Sequence, residues 1–82
     1  MKTPRNLSAD EFIRLLRRYG YEPDRQTGSH ITLTSTARGD EHHLTVPQHR
    51  PLRVGTLNTI VRMVGEYLDR DRDDIAEELF GR

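Results

Sequence analysis

The chain has no cysteine and no tryptophan, and it has few aromatic residues of any kind, 6% of its 82 residues. Without cysteine, neither a disulfide framework nor a thiolate metal site can form. There is no continuous apolar run long enough to span a bilayer, and the N-terminus lacks the apolar segment of a secretory signal. These absences predict a cytoplasmic protein with no membrane association.

Net charge and hydropathy are both low. Basic and acidic residues number 13 each, and mean hydropathy is −0.82. A neutral chain is not typical of a general nucleic-acid binder, and this length supports a single small domain. The charge is uneven, however: residues 1–54 hold nine Lys/Arg and six Asp/Glu, while residues 55–82 hold four and seven. Because the local field decides where an anion binds, anion-binding residues are expected in the first part.

A capping box predicts the start of the first helix. Ser8 and Glu11 have the spacing in which each side chain accepts a hydrogen bond from the backbone of the other. Apolar residues then recur at helical spacing as far as Tyr19, and Gly20 follows as a stop signal. The pattern predicts a helix over residues 8–19.

Alternation of polar and apolar residues predicts three strands in the middle of the chain. The first covers residues 21–26 and is irregular, because Pro23 lies inside it. A turn at 27–29 leads to two regular strands at 30–35 and 42–46. The sequence therefore predicts an antiparallel meander.

The alternation also determines how the second and third strands pair. Each strand needs one buried face, so antiparallel pairing places Ile31 opposite Val46 and leaves His30 opposite Pro47. His43 then lies about 13 Å from His30, at ~3.3 Å per residue. Since metal ligands lie about 2 Å from the ion, these two histidines cannot share a metal. No metal site and no cofactor are predicted.

The second half of the chain predicts two more helices. Apolar spacing indicates a helix over residues 55–68, with Thr56 as a candidate cap, followed by a charged hinge and a short last helix. The expected fold class is α+β, in the order α-β-β-β-α. The domain is predicted to cover residues 1–82, with its core at 8–68 and a charged helical extension at 69–82.

Two polar segments are expected to meet at one end of the sheet. Gly28 and Ser29 precede His30, and the third strand leads into His49 and Arg50. Glycine lets a ligand approach the backbone, and an imidazole can take or give a proton at neutral pH. Read singly, these residues are also ordinary for a hairpin turn, an exposed strand and a connector. Together they predict a site for a phosphodiester backbone.

Neighbouring residues extend this candidate site. Arg25 and Gln26 lie beside the turn, where they can hold a phosphate or a sugar. Arg53 and Thr56 lie at a helix start, whose free N–H groups attract anions. The predicted phosphate-binding residues are Arg25, Gln26, Gly28, Ser29, His49, Arg50, Arg53 and Thr56.

Three stretches stand out when taken in order. They read Arg-Gln-Thr-Gly-Ser-His at 25–30, Leu-Thr-Val-Pro-Gln-His at 44–49 and Leu-Arg-Val-Gly-Thr-Leu at 52–57. In this order they resemble the HicA (YcfA-like) toxin family over about residues 9–68. The resemblance implies a fold like the double-stranded RNA-binding domain, a three-stranded antiparallel sheet with helices on one face.

The resemblance also implies a function. It indicates an mRNA interferase of a type II toxin–antitoxin system, which is an endoribonuclease that needs no metal and is neutralised by a HicB-like antitoxin. His30 matches the essential catalytic histidine of the family, and Gly28 matches the glycine of the same motif. The predicted partners are mRNA and the antitoxin; a homo-oligomer and a heteromeric toxin–antitoxin complex are both open.

The chain departs from the family pattern in ways that keep alternatives open. Arg53 and Val54 stand where the family usually carries lysines, and the chain is neutral where many members are basic. A non-catalytic RNA-binding module of the same fold is therefore an alternative, as is a protein-interaction domain.

Overall fold

The computed structural model describes residues 3–81, so Met1, Lys2 and Arg82 of the predicted domain lie outside the described residues. The elements in chain order are α1 (Ala9–Leu16), a 3₁₀ turn (Arg17–Tyr19), β1 (Glu22–Thr27), β2 (His30–Ser35), β3 (His42–Pro47), α2 (Val54–Leu68) and α3 (Arg72–Phe80). The predicted α+β class, its element order and its short last helix are confirmed.

The strands form one antiparallel sheet in the order β1-β2-β3. β2 and β3 pair without interruption, with His30 opposite Pro47, so the predicted register is confirmed. β1 begins and ends one residue later than predicted, and its register shifts between Pro23 and Arg25. Proline has no N–H to donate to the ladder, which is why an edge strand with an irregularity accommodates it.

One face of the sheet is apolar, and residues of all three helices join it in a single core. The strands contribute Ile31, Leu33, Leu44 and Val46, and the helices contribute Phe12, Leu16, Leu57, Ile60, Val61, Val64, Ile75 and Leu79. The alternate strand residues form the opposite face, where they are exposed or half-buried. The sheet therefore presents a polar face that includes His30.

The start of α1 is the capping box that the sequence predicts. The Ser8 hydroxyl accepts from the Glu11 N–H at 3.2 Å, and the Glu11 carboxylate accepts from the Ser8 N–H at 2.9 Å. The backbone hydrogen bond from Ser8 is the main cause that lowers the pKa of Glu11. The α-helix ends at Leu16, earlier than predicted, because the chain tightens into the 3₁₀ turn before Gly20 takes a left-handed conformation.

α2 begins one residue earlier than predicted. Val54 is its first residue, Arg53 occupies the N-cap position, and no side chain caps the helix. The prediction of Thr56 as a cap is therefore wrong, since Thr56 is the third residue of the helix. The first backbone hydrogen bond joins the Leu57 N–H to the Arg53 carbonyl at 3.0 Å. The N–H groups of the first turn are thus left without a side-chain acceptor among the described residues.

α3 packs into the same core as the rest of the chain. Ile75 is fully buried and Leu79 is buried, and the Phe80 ring lies 6.2 Å from the Phe12 ring of α1. α3 follows α2 closely. A Cβ added at Gly65 would lie 2.8 Å from the Arg70 carbonyl oxygen, which is closer than real Cβ atoms approach another heavy atom. The charged extension therefore contributes apolar surface to the core.

Polar contacts hold the exposed face of α3 in place. The Arg70 guanidinium donates twice to the Glu78 carboxylate, at 3.0 and 2.6 Å, and Tyr19 donates its hydroxyl to the same carboxylate. These hydrogen bonds lower the pKa of Glu78 to about 2. Burial, together with the bond to Glu78, raises the pKa of Tyr19 to about 12.

His42 lies at the edge of the core between two tyrosines. The Tyr21 hydroxyl and Nδ1 of His42 are hydrogen-bonded at 2.7 Å, and the His42 ring stacks on Tyr67 with ring centroids 4.5 Å apart. Partial burial lowers the pKa of His42, and the neighbouring His43 lowers it further, against the opposite effects of Asp40 and Glu66. The folded state therefore favours neutral His42.

The contribution of His42 to folding stability is expected to fall on acidification. Because its pKa in the folded chain lies below the unfolded value of about 6.5, the unfolded chain takes up the proton first. The contribution is present in full above the unfolded pKa and declines as the pH falls through and below it. Urea unfolding between pH 5 and 8 measures this, and His42→Gln should remove the corresponding part of the pH dependence.

His49→Gln is the matched control, because His49 is exposed and is not among the groups that shift the pKa of His42. It should keep the pH dependence that His42→Gln removes. An unchanged pH profile in the His42 variant would contradict the assignment.

Candidate functional site

The two polar segments meet where β1 turns into β2 and where β3 ends. The Gln48 N–H donates to the Ser29 carbonyl at 2.7 Å. The Gln26 side-chain amide donates to the Gln48 side chain at 3.1 Å and to the Gly28 carbonyl at 3.3 Å. These bonds hold three predicted residues, Gln26, Gly28 and Ser29, together with Gln48 at this end of the sheet. We call these four residues the turn cluster.

His30 is the first residue of β2 and lies in the middle of this end of the sheet. It is opposite Thr27 on β1 and Pro47 on β3. Its side chain is exposed, and among residues 3–81 it has no hydrogen-bond partner. Since successive strand residues point to opposite faces, His30 lies on the polar face while Ile31 is buried. An imidazole in this position can exchange a proton with a bound molecule.

The turn before His30 depends on glycine for its backbone conformation. Gly28 has a φ of +59°, in the left-handed region that side chains other than glycine rarely adopt. Apart from Gly28 itself and the two adjacent residues, no heavy atom lies within 4 Å of the position where a Cβ would be. The turn therefore leaves open space beside His30, into which a ligand can approach the backbone.

His49 and Arg50 continue from the turn cluster to the start of α1. The His49 carbonyl accepts from the Ala9 N–H at 3.3 Å. The Arg50 guanidinium lies 3.7 Å from the Asp10 carboxylate, and the two side chains are 80% and 58% exposed. An ion pair this exposed contributes little to stability, so Arg50 is free to exchange its carboxylate for a phosphate.

Arg53 and Thr56 lie elsewhere, at the start of α2. A groove of about 440 Å³ there is lined by Gly55 and Thr56 together with His43 and Thr45 of β3. Thr45 is opposite Thr32, two residues along β2 from His30, which is about 7 Å at ~3.3 Å per residue. Most of the predicted residues therefore form two groups, the turn cluster with its connector and a second group beside β3, whereas Arg25 lines a separate groove between α1 and β1.

Sequence reasoning missed Gln48 and the threonines of the polar face. The Thr34 hydroxyl donates to Asp24 at 3.1 Å, so its contact of 2.9 Å with Nδ1 of His43 makes it the acceptor there. His43 is thus held in a network, unlike His30. The alternation pattern places Thr34 on the polar face, but the contact with Asp24 depends on the β1 irregularity, which the pattern does not specify.

The candidate site has no features of a metal centre or of a membrane protein within the described part of the chain. In residues 3–81, no three histidine, aspartate or glutamate side chains are arranged to share a metal ion. No helix in the same range has the length and apolar character needed to span a bilayer.

The fold and the site together define a small α+β domain, built like a double-stranded RNA-binding domain, with an exposed histidine at one end of its sheet. The family model described as HicA toxin of bacterial toxin-antitoxin matches residues 9–65. The chain therefore belongs to the HicA toxin family, as its sequence motifs predict. Comparison with curated proteins and with solved structures gave no match.

Membership of this family sets the general class of function. The chain is a toxin of the toxin–antitoxin type, and toxins of this family are generally ribonucleases that act with an antitoxin partner. The match covers both polar segments and most of α2 but ends before α3.

Proposed function

We propose that this chain is an endoribonuclease that cleaves mRNA, with His30 as its catalytic residue. The observation that supports this proposal is the exposed His30 ring, without a hydrogen-bond partner in residues 3–81, beside a turn that Gly28 leaves open. The imidazole takes the proton of a ribose 2′-OH or protonates the leaving oxygen. The 2′-oxygen bonds to phosphorus, the bond from phosphorus to the 5′-oxygen breaks, and the products carry a 2′,3′-cyclic phosphate and a 5′-hydroxyl.

The phosphate is bound by the groups that surround His30. Ser29 is exposed at the turn, and Arg50 follows two residues after Gln48, whose N–H is bonded to Ser29. A guanidinium placed beside the reacting phosphate stabilises the charge that develops during transfer. Arg53 and the first turn of α2, next to Thr45, bind a neighbouring phosphate along the polar face.

This reaction needs no metal, because the nucleophile belongs to the substrate and its proximity supplies much of the rate. An mRNA substrate places the activity in the cytoplasm. A HicB-like antitoxin neutralises the toxin by covering the polar end that carries His30, since a bound protein there would exclude the RNA.

Cleavage of a defined RNA tests this proposal. The purified chain, with EDTA present, should cut a single-stranded RNA and leave 2′,3′-cyclic phosphate and 5′-hydroxyl ends. The same oligonucleotide with 2′-deoxy sugars throughout is the matched substrate, and it should resist cleavage. Equal cleavage of both substrates would rule out the 2′-OH mechanism, and binding of RNA without any cleavage would favour the non-catalytic RNA-binding module.

A further inference from the structure

A second groove, of about 660 Å³, lies between α1 and β1. Ile13 of α1 and Ile31 of β2 contribute apolar surface to it, and Arg14, Arg17 and Arg25 line it with guanidinium groups. Its size lies in the range of small-molecule sites, about 300–1,000 Å³. We call it the α1–β1 groove.

The arginines of this groove are available to a ligand. Arg14 and Arg25 are exposed and have no ion pair within residues 3–81. Arg17 lies 2.9 Å from Glu22, but both side chains are more than half exposed, so the pair is weak. Each of these side chains can therefore turn to an anion without breaking a strong interaction.

The groove also contains carboxylates. Because carboxylates repel phosphate, a site for phosphate alone would not contain them. Asp10 and Asp24 both line it. A nucleotide matches this mixture, because its phosphate is an anion, its base has two apolar faces, and three of the four RNA bases carry an amino group that donates to a carboxylate. We propose that the α1–β1 groove binds one unpaired nucleotide of the RNA, next to the bond that His30 cleaves.

The groove is continuous with the turn cluster. Gln26 lines the groove and donates hydrogen bonds to Gln48 and to the Gly28 carbonyl. Asp10 also lines it and lies 3.7 Å from Arg50. Ile31, which lines the groove, lies on the apolar face of β2 and His30 lies on the polar face, so an RNA strand that passes His30 reaches the groove around the end of the sheet, at the turn cluster. The inference rests on the proposed function, since it assigns the groove to the same substrate.

The role of the arginines in holding phosphate is tested by binding. The His30→Ala chain, which should bind RNA without cutting it, is titrated into a labelled single-stranded oligonucleotide at several salt concentrations. Arg14→Gln with Arg25→Gln should weaken binding about tenfold. It should also make the slope of log K against log salt shallower by about 1.4, at roughly 0.7 for each of the two phosphates that flank the bound nucleotide and are no longer neutralised.

The matched control is Arg5→Gln with Arg62→Gln, which removes the same charge. Both arginines are exposed, lie outside the groove and have no ion pair within residues 3–81. This variant should bind within about twofold of the parent. Equal weakening by the two double variants would overturn the inference, because it would show attraction by net charge alone.

The role of the carboxylates in holding the base has its own readout. Uracil has no amino group, so oligo(C) should bind several times more tightly than oligo(U), and Asp10→Ala with Asp24→Ala should reduce that preference. An unchanged preference would contradict the contact between the carboxylates and the base. Loss of antitoxin binding by the arginine variant, with RNA binding intact, would also overturn the inference and assign the groove to a protein partner.

Cleavage kinetics separate this inference from the proposed function. In the chain that keeps His30, the two arginine substitutions should raise KM and leave kcat nearly unchanged. If the unaltered chain does not cut RNA, the proposed function fails whatever the groove binds. If it cuts RNA and the groove variant has the same KM, the groove inference alone fails.

Discussion

Replacing His30 with alanine is expected to slow RNA cleavage by about 10²- to 10⁴-fold, the usual contribution of a general acid or base. The side chain is exposed and makes no hydrogen bond within residues 3–81. The substitution should therefore change the free energy of unfolding by less than about 0.5 kcal/mol, as at most surface positions. The combination of a large kinetic effect and an unchanged fold is the expected signature of a catalytic residue.

Single-turnover cleavage at saturating RNA measures this effect without a contribution from product release. His43→Ala is the matched control, because it removes an exposed histidine from the same polar face opposite the other end of β2, and saturating RNA compensates for any weaker binding at the groove beside α2 that His43 lines. That variant should cleave within a few-fold of the unaltered chain. Induced expression of the His43 variant should arrest growth as the unaltered chain does, and the His30 variant should not. Cleavage by the His30 variant at the rate of the His43 variant would exclude the proposed role.

Replacing Ile75 with alanine is expected to lower the free energy of unfolding by about 2–4 kcal/mol, in the range for a large side chain truncated in a core. Ile75 is 0% exposed and lies in α3, beyond the residues that match the family model. For a small domain this is a substantial part of the total stability, about 5–15 kcal/mol. The prediction follows from the single core that α3 shares with α1 and α2.

Chemical denaturation measures the change, with Glu77→Ala as the control on the exposed side of the same helix. The control should stay within about 0.5 kcal/mol of the parent. A cost below that value for Ile75→Ala would mean that α3 is a tail that adds nothing to the core. The tight approach at Gly65 and the bonds to Glu78 favour the opposite result.

The starts of α1 and α2 show how much of the structure a local sequence pattern can specify. The Ser8–Glu11 capping box involves residues three apart, so the sequence alone specifies it, and the structure contains both of its hydrogen bonds. The start of α2 is different, because the connector before it is placed by distant contacts. Leu52 is buried, and its N–H donates to the Leu7 carbonyl at 2.8 Å. The sequence around Thr56 gives no indication of the contact between Leu52 and Leu7.

The candidate site also has a part that the local sequence specifies and a part that depends on tertiary contacts. Strand alternation was enough to place His30 opposite Pro47 and on the polar face, because a shift of one residue would bury the wrong side of the strand. The division of the other predicted residues among the turn cluster, the α1–β1 groove and the start of α2 depends on how the helices pack beside the sheet. The α1–β1 groove depends on the distance between a helix and an edge strand, and neither segment encodes that distance alone.

The sequence by itself determined the order of the elements, the pairing of β2 with β3 and the exposure of His30, because each follows from periodicity within a few residues. Only the tertiary structure decided that Gln48 joins the turn, that Arg53 is the N-cap of α2 and that α3 enters the core. These three depend on contacts between residues far apart in the chain, whose free energies become available only when the whole domain is assembled.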